Sequence, residues 1–89
     1  MPRPLRLDTA GNVTHVVARG NERRPLFRDD TDRERYLELL ADSCSRHGAR
    51  VLAYCLMPNH VHLALPTGPV PVSRVVHAVH SRYAQHFNR

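Results

Sequence analysis

His60 and His62 stand one residue apart in the run Met57-Pro58-Asn59-His60-Val61-His62-Leu63-Ala64-Leu65. On a β-strand, successive side chains alternate faces, so both imidazoles point one way while Val61, Leu63 and Leu65 point the other. The apolar face can be buried while the open face aims two nitrogen lone pairs at a single divalent ion, for which neutral imidazole is a good ligand. A second reading of the same residues is a pair of half-buried polar side chains, the usual fate of a histidine on a strand. The Pro-Asn turn before the pair and the unbroken apolar face behind it keep the metal reading open.

Other elements must position that strand. Residues 1–11 are rich in Pro and Arg and read as an irregular arm. Asn12 to Ala18 alternates as a first strand, with Val13, His15 and Val17 on one face and Thr14, Val16 and Ala18 on the other. Gly20-Asn21 ends it, and Arg19 to Arg28 forms a basic loop whose Arg19, Asn21, Arg23 and Arg24, together with Asn59 beside the histidines, are the candidates for phosphate contact, the alternative being a solvated charged loop. Asp29 or Asp30 suits the N-cap of a helix reaching His47, with Asp32 and Glu34 near its positive end and Gly48 as its stop. Val51 to Met57 is apolar on both faces and reads as a central strand, and His60 to Leu65 returns as its antiparallel neighbour. After the link Pro66 to Pro71, a second helix spans Ser73 to Asn88, with Val72, Val76, Val79, Tyr83 and Phe87 at three- or four-residue steps.

The order strand, helix, strand, strand, helix is an α+β arrangement, βαββα, with an antiparallel sheet and two helices. It lacks one strand of a ferredoxin-like split βαβ sheet. Within the second helix, His77 and His80 lie at i,i+3 with His86 beyond them. No Cys or carboxylate stands at ligand spacing, so these read as exposed surface histidines.

Eighty-nine residues allow one small domain, 1–89, which buries little more than half of its unfolded surface and gains from any further support, such as a second copy in a homodimer. A hydrophobic content of 42% fits a packed core. Lys plus Arg number 13 against 8 Asp plus Glu, a formal charge of +5, and every one of the basic residues is arginine. The guanidinium fork matches phosphates and base edges, so nucleic acid is favoured as the partner. Cys44 and Cys55 lack metal-type spacing and read as reduced core thiols. No apolar run approaches membrane-helix length and no signal-peptide core is present, which excludes a membrane partner and leads to a cytoplasmic expectation.

Four ordered blocks carry a family resemblance. Tyr54-Cys55-Leu56-Met57-Pro58-Asn59-His60-Val61-His62 resembles the signature of the HUH single-strand DNA transposases, in particular the REP-associated tyrosine transposase group. His15-Val16-Val17-Ala18-Arg19-Gly20-Asn21, Phe27-Arg28-Asp29-Asp30 and Ser81-Arg82-Tyr83-Ala84-Gln85-His86-Phe87-Asn88-Arg89 resemble that family's first strand and turn, the start of its first helix and its second helix. The resemblance implies a palm-like ferredoxin fold and DNA transposition through cleavage and joining of single-stranded or hairpin DNA. It also implies a divalent cofactor, Mg²⁺ or Mn²⁺, held by His60 and His62 to polarise the scissile phosphate while a tyrosine hydroxyl attacks phosphorus.

The nucleophile is not evident. Tyr83 lies beside Arg82 and Gln85, but it also sits on the apolar stripe of its helix, where a tyrosine ring packs. In the similar transposases the reactive tyrosine belongs to a further helix, with an Asn or Gln four residues later, so the expectation is an N-terminal portion carrying the metal half of the site. The alternative is a truncated, non-catalytic module that binds single-stranded or hairpin DNA. An RNA-binding split βαβ module is disfavoured, because the strands lack the aromatic pattern that stacks bases.

Overall fold

A computed structural model describes residues 6–20 and 25–87. Strands β1 (Arg6–Ala10), β2 (Val13–Arg19), β3 (Ala53–Met57) and β4 (His60–Pro66) and helices α1 (Asp30–His47) and α2 (Val72–Phe87) follow in the order ββαββα. The fold is α+β, as the sequence indicates. The strands form one antiparallel sheet in the order β1-β2-β4-β3. β4 lies between β2 and β3, which splits the β2-α1-β3 unit in the ferredoxin-like manner.

Two expectations are corrected here. Residues 6–10 are not part of an irregular arm but form β1, which pairs with β2 from Arg6↔Val17 to Ala10↔Val13. The intervening Gly11-Asn12 makes a two-residue hairpin turn, with Gly11 at φ +63° supplying the positive dihedral that such turns require. Gly-Asn between two strand-like runs was the available signal. Likewise, Val51 to Met57 is not a central strand. β3 begins at Ala53 and occupies an edge, where Ala53, Tyr54, Cys55 and Met57 are exposed, so Cys55 is not a core thiol. The apolar character on both faces of this segment reflects an uncovered edge rather than burial on both sides.

α1 follows local chemistry closely. Asp29 caps it by accepting the Asp32 N–H at 3.0 Å, and Gly48 ends it at φ +65°, its N–H bonded to the Cys44 carbonyl. Both helices cover the same face of the sheet. Val16 and Ala18 of β2 and Val61, Leu63 and Leu65 of β4 are buried against Tyr36, Leu39 and Leu40 of α1 and Val75, Val76, Val79 and Tyr83 of α2. Each of the buried valines and leucines contributes about 1.5–3 kcal/mol of burial free energy.

The helix layer also buries polar groups, each with a partner. His80 is not an exposed histidine: it is 7% accessible, and its Nε2 meets the Tyr36 hydroxyl at 2.7 Å across the α1–α2 interface. Position 80 lies one residue past Val79 and three before Tyr83, on the flank of the stripe that faces α1, whereas His77 stays exposed. Asp32, also buried, accepts from the backbone N–H and guanidinium of Arg28 and from His86 at 3.0 Å, so α2 is tied to the first turn of α1.

These groups make stability depend on pH. Burial pushes the His80 pKa down to about 4, against about 6.5 in an unfolded chain. The folded state therefore binds fewer protons, and the contribution of His80 is complete above about pH 6.5 and lost as pH falls toward 4, an effect of about 3 kcal/mol. The Arg28 hydrogen bond holds the Asp32 carboxylate well below its usual range, so its contribution stands above about pH 4 and is lost at still lower pH. Urea unfolding should give a clearly lower midpoint at about pH 5 than at about pH 7. The His80→Leu variant should be weaker at neutral pH but flatter across that interval. A wild-type midpoint level between the two would contradict this assignment.

Candidate functional site

The alternation of β4 puts His60 and His62 on the sheet face that the helices leave uncovered. Val61, Leu63 and Leu65 are 0%, 2% and 1% accessible, whereas His60 is half-buried and His62 exposed. The imidazole rings lie edge to face with centroids 4.9 Å apart, so the two side chains converge on one region. Register adds their neighbours: Arg19 of β2 and Met57 of β3 flank His60, and Val17 and Cys55 flank His62. Partial burial, together with the proximity of His62 and Arg19, holds the His60 pKa below the ordinary histidine value. This favours the neutral, lone-pair-bearing form that a metal requires.

His60 is oriented by its predecessor. Asn59 Oδ1 lies 2.7 Å from His60 Nδ1. A carbonyl oxygen only accepts, so Nδ1–H donates and Nε2 keeps its lone pair. The donor set fits a divalent ion held by two imidazole nitrogens, with other positions taken by water or phosphate oxygen. Among the described residues, no group of three or more His, Cys, Asp or Glu is arranged to hold a metal.

The basic loop joins this site at both ends. Gly20 N–H bonds the Asn59 carbonyl at 2.9 Å, while Leu26 N–H and Phe27 N–H bond the Pro58 carbonyl at 2.8 and 3.1 Å. Gly20 on one side of residues 21–24 and Leu26 and Phe27 on the other thus bond the same Pro58-Asn59 turn, which leads into His60. Asn21, Arg23 and Arg24 lie outside the described residues, whereas Arg19 is described, exposed, and on the histidine face.

The tyrosines sit elsewhere. Tyr83 is 2% accessible, donates its hydroxyl to the Leu26 carbonyl at 2.7 Å, and packs against Phe27, Tyr36 and Phe87 in the helix layer. Burial raises its pKa above the tyrosine norm, keeping the hydroxyl protonated. Tyr36 is buried in the same cluster, and Tyr54 pairs with Leu63, which assigns it to the helix side of β3. No tyrosine of the chain shares the face of His60 and His62.

Sequence reasoning missed the structural work of Asp32, which it read only as a favourable charge at the helix start. An acidic residue three positions after the Asp29 cap is a capping signature, and here the carboxylate reaches back to Arg28 and across to His86.

Residues 10–89 match the family model described as "Transposase IS200 like". The chain belongs to the IS200-like transposase family. A search of the curated proteins finds no match. Family membership makes the protein a transposase in kind and supports a role in DNA transposition. No described helix is long and apolar enough to cross a membrane.

In this transposase the Tyr83 hydroxyl is a packing element. Tyr83→Phe should lower stability by about 1–2 kcal/mol, because it leaves the Leu26 carbonyl without its buried donor, and should leave DNA affinity within about twofold of wild type. Chemical denaturation and a gel-shift titration read the two effects. A large loss of DNA binding in a folded variant would contradict the packing role.

Proposed function

We propose that the chain carries the metal-binding and DNA-holding half of an HUH-type transposase of the REP-associated group, acting in the cytoplasm on single-stranded or hairpin DNA. One observation carries the reading: His60 and His62 converge on the uncovered face of the sheet, at a turn that also holds both ends of the arginine-rich loop. Mg²⁺ or Mn²⁺ bound by this pair would supply Lewis-acid polarisation of a phosphate. Arg19 lies next to His60 in register, suited to a phosphate at the same place. Arg23, Arg24, Asn21 and Asn59 would add contacts to the DNA backbone around it.

The placement of the tyrosines favours a second component of the reading. Attack on phosphorus needs a hydroxyl on the histidine face, and Tyr36, Tyr54 and Tyr83 do not lie there. By itself, then, the 89-residue chain holds DNA without cutting it, and the nucleophile for strand transfer is one that these three tyrosines do not provide.

Two measurements test the proposal. Replacing Arg23 and Arg24 by Ala should lower the slope of log K against log[salt] for a DNA hairpin by about one to two units, as loss of two phosphate contacts requires. An unchanged slope would remove the loop from the interface. Incubation of the chain with Mn²⁺ and end-labelled hairpin DNA should give a reversible complex and no covalent protein–DNA adduct. An adduct that disappears in Tyr83→Phe would overturn the assignment and make Tyr83 the nucleophile.

A further inference from the structure

We infer that Asn59 is a positioning residue: its side chain selects Nε2 of His60 as the nitrogen offered to a metal, while its backbone locks the same turn to the arginine-rich loop. The inference rests on the reading of His60 and His62 as metal ligands.

In water, a neutral histidine side chain favours the proton on Nε2, which would block the nitrogen farther from the backbone. A carbonyl acceptor placed at Nδ1 reverses that preference, because it is satisfied only if Nδ1 carries the proton. Asn59 Oδ1 stands 2.7 Å from His60 Nδ1. No other partner of the His60 ring is within hydrogen-bond reach among the described residues except that amide, and its neighbours on the open face are Arg19, Met57 and His62. Arg19 only donates, Met57 accepts weakly, and the His62 ring lies edge to face at 4.9 Å between centroids with no hydrogen bond to His60, so none of the three competes for the Nδ1 proton.

The side chain is useful as an orienting group only if its own backbone is fixed. Asn59 lies in the two-residue connection between Met57 and His60, which are themselves paired across β3 and β4. Its carbonyl accepts from Gly20, and the preceding Pro58 carbonyl accepts from both Leu26 and Phe27. Rotation of the turn would break all of these bonds. Loop closure and imidazole orientation therefore meet in one two-residue turn, in which Pro58 holds Leu26 and Phe27 while Asn59 holds both Gly20 and His60, and displacing the loop's ends would also disturb the ligand nitrogen. An exposed asparagine in a turn is ordinarily replaceable, whereas this one has both its backbone and side-chain carbonyls engaged.

The test uses the 89-residue protein without DNA. Long-range ¹H–¹⁵N spectra at about pH 8, where imidazoles are neutral, report which nitrogen of His60 is protonated, with the His60 signals assigned by their loss in His60→Gln. Wild type should carry the proton on Nδ1. Asn59→Ala should shift it toward Nε2 and weaken Mn²⁺ binding about tenfold, read by electron paramagnetic resonance of free Mn²⁺. Asn59→Asp, which keeps an acceptor oxygen, should retain both the Nδ1 proton and the affinity. A wild-type proton on Nε2 would mean that the amide is turned the other way and would overturn the inference, as would an Asn59→Ala variant with unchanged Mn²⁺ affinity. Absence of Mn²⁺ binding in wild type would instead remove the metal reading beneath it, and the tautomer spectrum separates that failure from the failure of Asn59 to hold His60.

Discussion

The fold depends on burial of one face of β4. Val61, Leu63 and Leu65 are nearly inaccessible beneath α1 and α2, and β4 is hydrogen-bonded to a strand on either side. Because side chains alternate with a period of two, a slip of one residue would drive His60 and His62 into the core and expose the three aliphatic residues. Burying two imidazoles without partners, while losing about 1.5–3 kcal/mol for each exposed aliphatic side chain, would exceed the stability of a domain this small. Core packing thus specifies which face presents the histidines. The requirements for folding and for the candidate site coincide in one strand.

A second set of bonds connects the helix layer to that site. The Tyr83 hydroxyl holds the Leu26 carbonyl, Leu26 N–H holds the Pro58 carbonyl, and the adjoining Asn59 holds His60 Nδ1. Behind Leu26 and Phe27, Arg28 is secured by Asp32, which also receives His86 from the last turn of α2. The stretch from Leu26 to Arg28 is therefore pinned from three sides. This gives the buried aromatic cluster a role beyond volume: it fixes the returning end of the basic loop against the turn that begins β4.

Much of this was legible in the sequence where local physics decides. The limits of α1 follow from the Asp29 cap and the left-handed Gly48, and the two faces of β2 and β4 follow from strict alternation. The apolar spacing around Tyr83 assigned its ring to the core, where it lies. What escaped was set by tertiary neighbours. Apolar residues on both faces do not tell a central strand from an uncovered edge, so the edge position of β3 and the exposure of Cys55 are set by tertiary neighbours. The first strand was hidden among prolines and arginines, and only the Gly11-Asn12 turn hinted at it. Helical periodicity alone does not tell a flank histidine that meets a tyrosine from one that meets water, which is why the burial of His80 against Tyr36 was missed.

The proposed divalent ion would bind on the uncovered face of the sheet and not in the helix layer. Titration of Mn²⁺ into the isotopically labelled protein, followed by paramagnetic broadening of its resonances, tests this most directly, since the effect falls steeply with distance from the ion. His60 and His62 should broaden first, with Arg19, Cys55 and Met57 following and His77, His80 and His86 of α2 remaining sharp. Broadening centred on α2, or loss of signal that persists in the His60→Ala/His62→Ala variant, would contradict it.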